Sequence, residues 1–218
     1  PTNKDFNSYE HFYVHVDMLI VGGGVAGITA ARAAINSGLK VLIVEQNDYW
    51  GGRASIDNVN IDGELSVNWV EKQIHKLSKA DNFELKLNTM AAGVYDHGYV
   101  LLHENLIDEA NQEALLRQRL WRVRAKQIVT ATGAIERPLS FANNDIPGVM
   151  LAASVRDYAV NYGVSCGDKT VLVTNNDDAY RTAITMKNAG LEVPCIIDAR
   201  PNVDGELPNQ ARQLGIRI

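Results

Sequence analysis

The 218 residues predict an α/β fold in which two strand–helix–strand units follow one another, the first carrying an antiparallel meander. Three observations carry this. An apolar, β-branched run at 16–21 leads into Gly22-Gly23-Gly24-Val25-Ala26-Gly27, then an Ala-rich stretch, then a second apolar run at 40–45. A second pattern of strand, helix and strand occupies residues 169–197. Between the two lie short alternating segments punctuated by Asp96-His97-Gly98.

Each element has a local reason. Residues 28–36 are dominated by Ala and read as helix, which Ser37-Gly38 ends because glycine takes the left-handed conformation readily. Within 65–80, Val67, Val70, Ile74 and Leu77 recur at helical spacing. Residues 83–87 alternate and read as a strand; 91–95 and 99–103 form a hairpin around Asp96-His97-Gly98. Residues 120–126 are a further strand, with Trp121, Val123 and Ala125 on one face and Arg122, Arg124 and Lys126 on the other. That basic stripe is either a solvated sheet face or a docking face for an acidic partner. Residues 127–133 are a separate apolar strand ending Ala131-Thr132-Gly133, at the edge of the sheet where such folds bind ligands.

The glycines of the first turn have separate tasks. Gly22 permits the tight turn, Gly24 lets the backbone approach a pyrophosphate, and Gly27 lets helix pack closely on strand. The helix N-terminus then offers free N–H groups and a positive dipole end to the phosphates. Glu45 lies 18 residues past Gly27 at the end of the second strand, where a carboxylate accepts ribose hydroxyls and disfavours a 2′-phosphate. The expected ligand is therefore NAD or FAD rather than NADP. Tyr49-Trp50-Gly51-Gly52-Arg53 then suggests either a second close backbone approach to that ligand or an ordinary surface turn.

The second unit is a Rossmann-like half whose phosphate loop has changed. Residues 169–174 are a strand, 179–188 a helix capped by Gly190, and 193–197 the next strand. Its loop, Asn175-Asn176-Asp177-Asp178-Ala179-Tyr180, has no glycine. Two carboxylates stand where a pyrophosphate would sit, and Tyr180 replaces the third glycine, so dinucleotide binding in the usual pose is not expected there. The full reading is a Rossmann-like parallel sheet with an antiparallel β-meander crossover, followed by a second, truncated Rossmann-like βαβ unit. The organisation expected is an N-terminal extension at 1–15, a first dinucleotide-binding domain with its meander at 16–150, and an incomplete second half at 151–218. Residues 215–218 look like the start of a further strand, so the chain reads as a piece of a longer polypeptide.

Composition narrows the class. The chain is 46% hydrophobic and 22% charged, which excludes a disordered tail, a collagen-like fibre and a disulfide-stapled mini-protein. A net charge of −5 argues against non-specific nucleic-acid binding. Cys166 and Cys195 are too few and too distant in sequence for a disulfide framework, a metal site or a C-x-x-C redox pair. No apolar run approaches a membrane span, and the N-terminus lacks a signal-peptide pattern. A soluble cytoplasmic protein is expected, with no nucleic-acid and no membrane partner. His11, His15, His75, His97 and His103 show no metal spacing, and no catalytic constellation is visible. Tyr49, Trp50 and Trp121 read as packing residues; Arg53 and Arg137 are either surface residues or contacts to a phosphate or flavin.

Several stretches together resemble the α-subunit family of heterotetrameric sarcosine oxidases. They are Tyr95-Asp96-His97-Gly98-Tyr99, residues 117–125, Ala131-Thr132-Gly133-Ala134-Ile135-Glu136-Arg137-Pro138, residues 141–150, and Thr174-Asn175-Asn176-Asp177-Asp178-Ala179-Tyr180. The resemblance runs from about residue 16 to 200; Val25 stands where such chains often carry Pro. It implies a multi-subunit flavoenzyme that oxidises sarcosine (N-methylglycine) to glycine with oxygen. The products are hydrogen peroxide and either formaldehyde or methylene-tetrahydrofolate. It also implies NAD in the first unit, FAD on a β subunit and FMN only at the interface with that partner, the isolated chain being inactive. The resulting cofactor-binding set is Gly22, Gly24, Val25, Ala26, Gly27, Glu45, Gln46, Gly52, Arg53, Ala131, Thr132 and Gly133, with FAD as the alternative ligand. Related amine oxidoreductases such as opine and cyanide-producing glycine dehydrogenases share parts of the pattern. A self-contained FAD-dependent NAD(P)H reductase and a non-catalytic dinucleotide-binding scaffold are the other readings.

Overall fold

A computed structural model describes residues 8–106 and 116–218. Its contacts divide the chain into two units, Pro1–Gly133 and Ala134–Ile218, so the boundary falls earlier than the 150 read from sequence.

The first unit runs β1 (Ser8–Val21), α1 (Val25–Ala34), β2 (Val41–Val44), α2 (Ala54–Asp57), β3 (Asn60–Ile61), β4 (Glu64–Leu65), α3 (Ser66–Leu77), β5 (Phe83–Lys86), β6 (Thr89–Tyr95), β7 (Tyr99–Asn105) and β8 (Leu116–Thr130). One six-stranded sheet has the order β5-β2-β1-β8-β7-β6. β5, β2, β1 and β8 are parallel, while β8-β7-β6 is an antiparallel meander. The short runs 41–44 and 18–21 form the centre because nothing in them wants water. Leu19, Ile20, Val41, Leu42 and Ile43 are fully buried, each contributing about 1.5–3 kcal/mol of hydrophobic stabilisation.

Two apolar layers flank the parallel strands. On one side Ile20 and Ile43 meet Ile28 and Ala31 of α1 and Trp69 and Leu77 of α3. On the other, Leu19 and Leu42 join Val100, Leu102 and Val123 of the meander. The buried face of α3 is Trp69, Val70, Gln73 and Leu77. Val67, expected on that face, is 45% exposed; the stripe is turned toward the larger indole, whose burial removes more apolar area from water.

Two sequence expectations are corrected here. Residues 8–15 are not an extension: they are the first half of β1 and pair in register with β8, Phe12 opposite Trp121 and Val14 opposite Val123. Residues 1–7 of the expected extension lie outside the described residues. The strands expected at 120–126 and 127–133 are one strand, β8, which ends at Thr130. Its outward cations are matched locally. Arg122 donates to the Tyr13 hydroxyl, Arg124 stacks on Tyr99, and Lys126 pairs with Asp17 at 2.7 Å. This favours the solvated-face reading of the stripe. Trp121 is a packing residue, stacked on Phe12 at 4.6 Å with its Nε1 donating to Glu104 at 2.7 Å.

The second unit runs α4 (Ala152–Tyr162), β9 (Leu172–Thr174), α5 (Asp178–Asn188), β10 (Ile196–Asp198) and α6 (Glu206–Gln213). β9 and β10 are parallel, and Cys195 makes a further parallel bridge to Arg217. Its core joins Leu172 and Ile196 to Tyr180 and Met186 of α5 and Ala211 of α6. Helices α4 and α6 were not visible in the sequence reading: α4 buries only Val155 and Arg156, and α6 only Pro208 and Ala211.

Candidate functional site

The turn between β1 and α1 is fixed by backbone contacts that only glycine allows. Gly22 has φ +108°, and a Cβ there would lie 2.3 Å from the Ala131 carbonyl oxygen. A Cβ on Gly27 would lie 1.9 Å from the Gly22 carbonyl oxygen, so α1 touches the turn backbone to backbone. Gly24 differs. It is the N-cap of α1 with φ −74°, and the nearest atom to a Cβ would be Gly52 Cα at 4.0 Å. No protein atom demands glycine at 24, so its open face is where a ligand backbone approach has room.

Glu45, at the end of β2, is buried at 6% exposure. Its Oε2 accepts the Gly23 N–H at 2.8 Å and its Oε1 the Asn47 N–H at 2.9 Å. Each carboxylate oxygen retains further acceptor capacity for a hydroxyl. The acid is thus tied to the glycine turn as well as aimed along it.

The Gly51-Gly52 pair meets the same turn. Gly51 donates its N–H to the Gly23 carbonyl at 2.8 Å, and Gly24 and Gly51 form a parallel bridge. Gly51 and Gly52 have φ +105° and +55°. A Cβ on Gly52 would come within 3.2 Å of Gly24 Cα. The doublet is therefore no ordinary surface turn; it packs on the glycine loop itself. A Cβ on Gly23 would strike the Trp50 ring at 2.4 Å, so the indole covers the back of the loop. Gly51 makes the close backbone approach read from residues 49–53, to the glycine loop; Gly23 and Asn47 were missed as site neighbours, and Trp50 was read only as a packing residue. For Gly23 the signal was the extra glycine between Gly22 and Gly24, whose need is explained only by the later aromatic.

The remaining members of the expected set fall in two groups. Ala131 donates its N–H to the Val21 carbonyl at 2.8 Å and so stands beside the turn. Val25 and Ala26 open the first turn of α1, and Arg53 is the N-cap of α2, 3.5 Å from Asp57. Gln46, Thr132 and Gly133 are exposed, and the Thr132 backbone nitrogen would lie 3.3 Å from a Cβ on Gly22, beside the turn.

The second unit treats the equivalent turn differently. Asp177 pairs with Arg200 at 2.7 Å, and Asp178 receives the guanidinium of Arg156 on both oxygens at 3.0 and 3.1 Å. Arg156 is fully buried. The two carboxylates that looked hostile to anions are each matched by an arginine. Tyr180 does not obstruct packing; it is fully buried and donates to Asp198 at 2.8 Å. Burial, and then its bond to Asp198, push the Tyr180 phenol up to about 12. Arg200, which bonds Asp198 as well as Asp177, holds the Asp198 carboxyl well below the usual range.

Comparison with known proteins gives this geometry a class. The model of the FAD dependent oxidoreductase family matches residues 17–139, a span that runs from β1 through the meander to just past β8. The chain belongs to the FAD-dependent oxidoreductase family. Among curated relatives it is similar to the sarcosine oxidase subunit alpha of Corynebacterium sp. (strain P-1), 37% identical over 214 residues, which is 96% of this chain and 22% of the relative. The sarcosine oxidase subunit alpha of Rhizobium meliloti (strain 1021) is 34% identical over 95% of this chain and 21% of its own. The chain therefore spans about a fifth of the length of these curated relatives. The resemblance read from sequence is borne out at the level of kinship. Among solved structures, L-proline dehydrogenase from P. horikoshii superposes with a TM-score of 0.66 at 29% identity, covering 90% of this chain and 38% of that one. Thioredoxin reductase from T. acidophilum, at 15% identity and TM-score 0.61 over 93% of this chain and 63% of that one, shares the fold. Among the described residues no helix is long and apolar enough to cross a membrane.

Proposed function

We propose that this chain is the dinucleotide-binding part of a sarcosine-oxidase-type α subunit, and that its first unit holds NAD. The observation that carries the reading is the open face of Gly24 beside the buried Glu45. There the N–H groups of Val25 and Ala26 face a pyrophosphate, and Glu45 accepts ribose hydroxyls while keeping the loop in place through Gly23. Gly22 and Gly27 hold the turn tight, with Ala131 and Thr132 against it, and Gly52 keeps the adjoining backbone clear of Gly24; in this reading Gln46, Arg53 and Gly133 reach the ligand from outside the loop. When bound, the dinucleotide supplies a site for two-electron transfer. This chain's own residues bind and orient it, and none of them acts as an acid, base or nucleophile in the reading.

The relatives are named as one subunit, alpha, of sarcosine oxidase, which supports partner subunits; in this reading a β subunit carries the amine-oxidising flavin, with FMN at the shared interface. In that assembly sarcosine, oxygen and water give glycine, hydrogen peroxide and formaldehyde, or, where tetrahydrofolate takes the one-carbon unit in place of water, glycine, hydrogen peroxide and methylene-tetrahydrofolate; this chain alone is inactive. The free thiols of Cys166 and Cys195 support a cytoplasmic location. A second reading, FAD in the same cradle, is favoured by the family model over residues 17–139.

Mass spectrometry of ligand released by heating the purified protein tests both. NAD supports the first reading, FAD with a yellow flavin spectrum supports the second, and a protein that binds neither when titrated refutes the site.

A further inference from the structure

The second unit contains a cavity of 590 Å³ beside β9 and the start of α5. Its size is that of a small-molecule site. Its floor is the open side of the strand. Val171 and Val173 are 50% and 51% exposed and line the cavity, whereas Leu172 between them is 4% exposed and faces the core. Leu139, Phe141, Val149 and Met150 supply further apolar walls.

The polar groups along it are few. Among the described residues Arg137 is the cation in the lining, and no carboxylate lies within ion-pair distance of it. The acid in the lining, Glu136, already accepts the Ala153 N–H at 2.7 Å. The nearby turn has no glycine, and its Asp177 and Asp178 are committed to Arg200 and Arg156. A pyrophosphate therefore finds neither a backbone cradle nor an available guanidinium at the head of α5.

We infer that this cavity is a binding site for a small apolar carboxylate, its body against Val171 and Val173 and its anionic end on Arg137. A planar guanidinium matches a carboxylate in a two-point fork, and the apolar floor matches an apolar body of small-molecule size. Nothing in this assignment depends on which dinucleotide the first unit holds.

The test is titration of the full chain with 2-naphthoate, followed by calorimetry and by the rate at which N-ethylmaleimide alkylates Cys166, which lines the cavity. The expected result is saturable binding at one site per chain and at least tenfold slower alkylation of Cys166 at saturation. Arg137→Gln should weaken naphthoate at least tenfold while leaving the uncharged 2-naphthamide unchanged. Val173→Trp should abolish both, and inorganic pyrophosphate should not compete. No saturable binding, binding that leaves Cys166 alkylation unchanged, or equal affinity in Arg137→Gln overturns the assignment. The wild-type protection measurement keeps it falsifiable if Val173→Trp does not fold.

Discussion

Tyr180 donates its phenolic O–H to the Asp198 carboxylate at 2.8 Å, across the same interval of 18 residues that separates Gly27 from Glu45. The two units thus place an acid at the same point of the βαβ pattern and use it oppositely. In the first, the position 18 before the acid is a glycine. In the second it is a buried phenol that ties up the acid, and Arg200 takes the rest, leaving the Asp198 side chain 1% exposed. A ribose has no access to it.

This network gives the second unit a pH signature. Asp198 is held below its ordinary pKa by Arg200, so its contribution to stability is present above the unfolded value near 3.8 and is lost as pH falls below it. Tyr180, raised to about 12, contributes stability that is full below its unfolded value of 10.0 and is lost as pH rises toward 12. Denaturant titrations across pH should show both limbs. Asp198→Asn should flatten the acid limb and Tyr180→Phe the alkaline one, the latter costing about 1–2 kcal/mol at neutral pH.

Gly24→Ala and Gly27→Ala should separate ligand space from packing space. The Gly24 Cβ would meet nothing closer than 4.0 Å and its φ is ordinary, so the variant should keep its melting temperature and lose dinucleotide binding. The Gly27 Cβ would meet a backbone oxygen at 1.9 Å, so that variant should lose stability by about 3 kcal/mol or fail to fold. Thermal melts with and without dinucleotide check both. Equal stability loss in the two would show that Gly24 is merely structural.

Glu45→Gln should lower dinucleotide affinity by about 2 kcal/mol, or about 30-fold, because a charge-assisted acceptor becomes neutral. It should also admit NADP more readily relative to NAD, since the carboxylate no longer repels a 2′-phosphate. Calorimetry with the two nucleotides measures the ratio.

Asp178→Ala leaves the fully buried Arg156 without its carboxylate. Losing the two-point partner of a buried guanidinium should cost about 3 kcal/mol, read as a lower denaturation midpoint for the second unit with the first unit's dinucleotide affinity unchanged.

The first turn was legible because its constraints are local: Gly22, Gly24 and Gly27 with a strand before, a helix after and Glu45 at the right interval are all one short stretch of chain. What lay beyond pattern was long-range. The roles of Gly23 and of the Gly51-Gly52 pair appear only when Trp50 and the loop meet in space. The arginines that match Asp177 and Asp178 come from positions 200 and 156, and no periodicity links them to the turn. Helix α6 hides for the opposite reason, since only Pro208 and Ala211 are buried and its pattern is mostly polar.

The ribbon formed by β1 and β8 has a consequence for how the first unit is made. Arg119 reaches Glu10 across 109 residues of intervening chain, and every rung of that ribbon is similarly distant in sequence. During synthesis the opening strand must wait, with one hydrogen-bonding edge unmatched, until residue 130 has left the ribosome. The nascent chain is therefore most prone to aggregate in that interval. A ribosome stalled before residue 116 should display a protease-sensitive β1 that becomes resistant once the stall point lies well past β8.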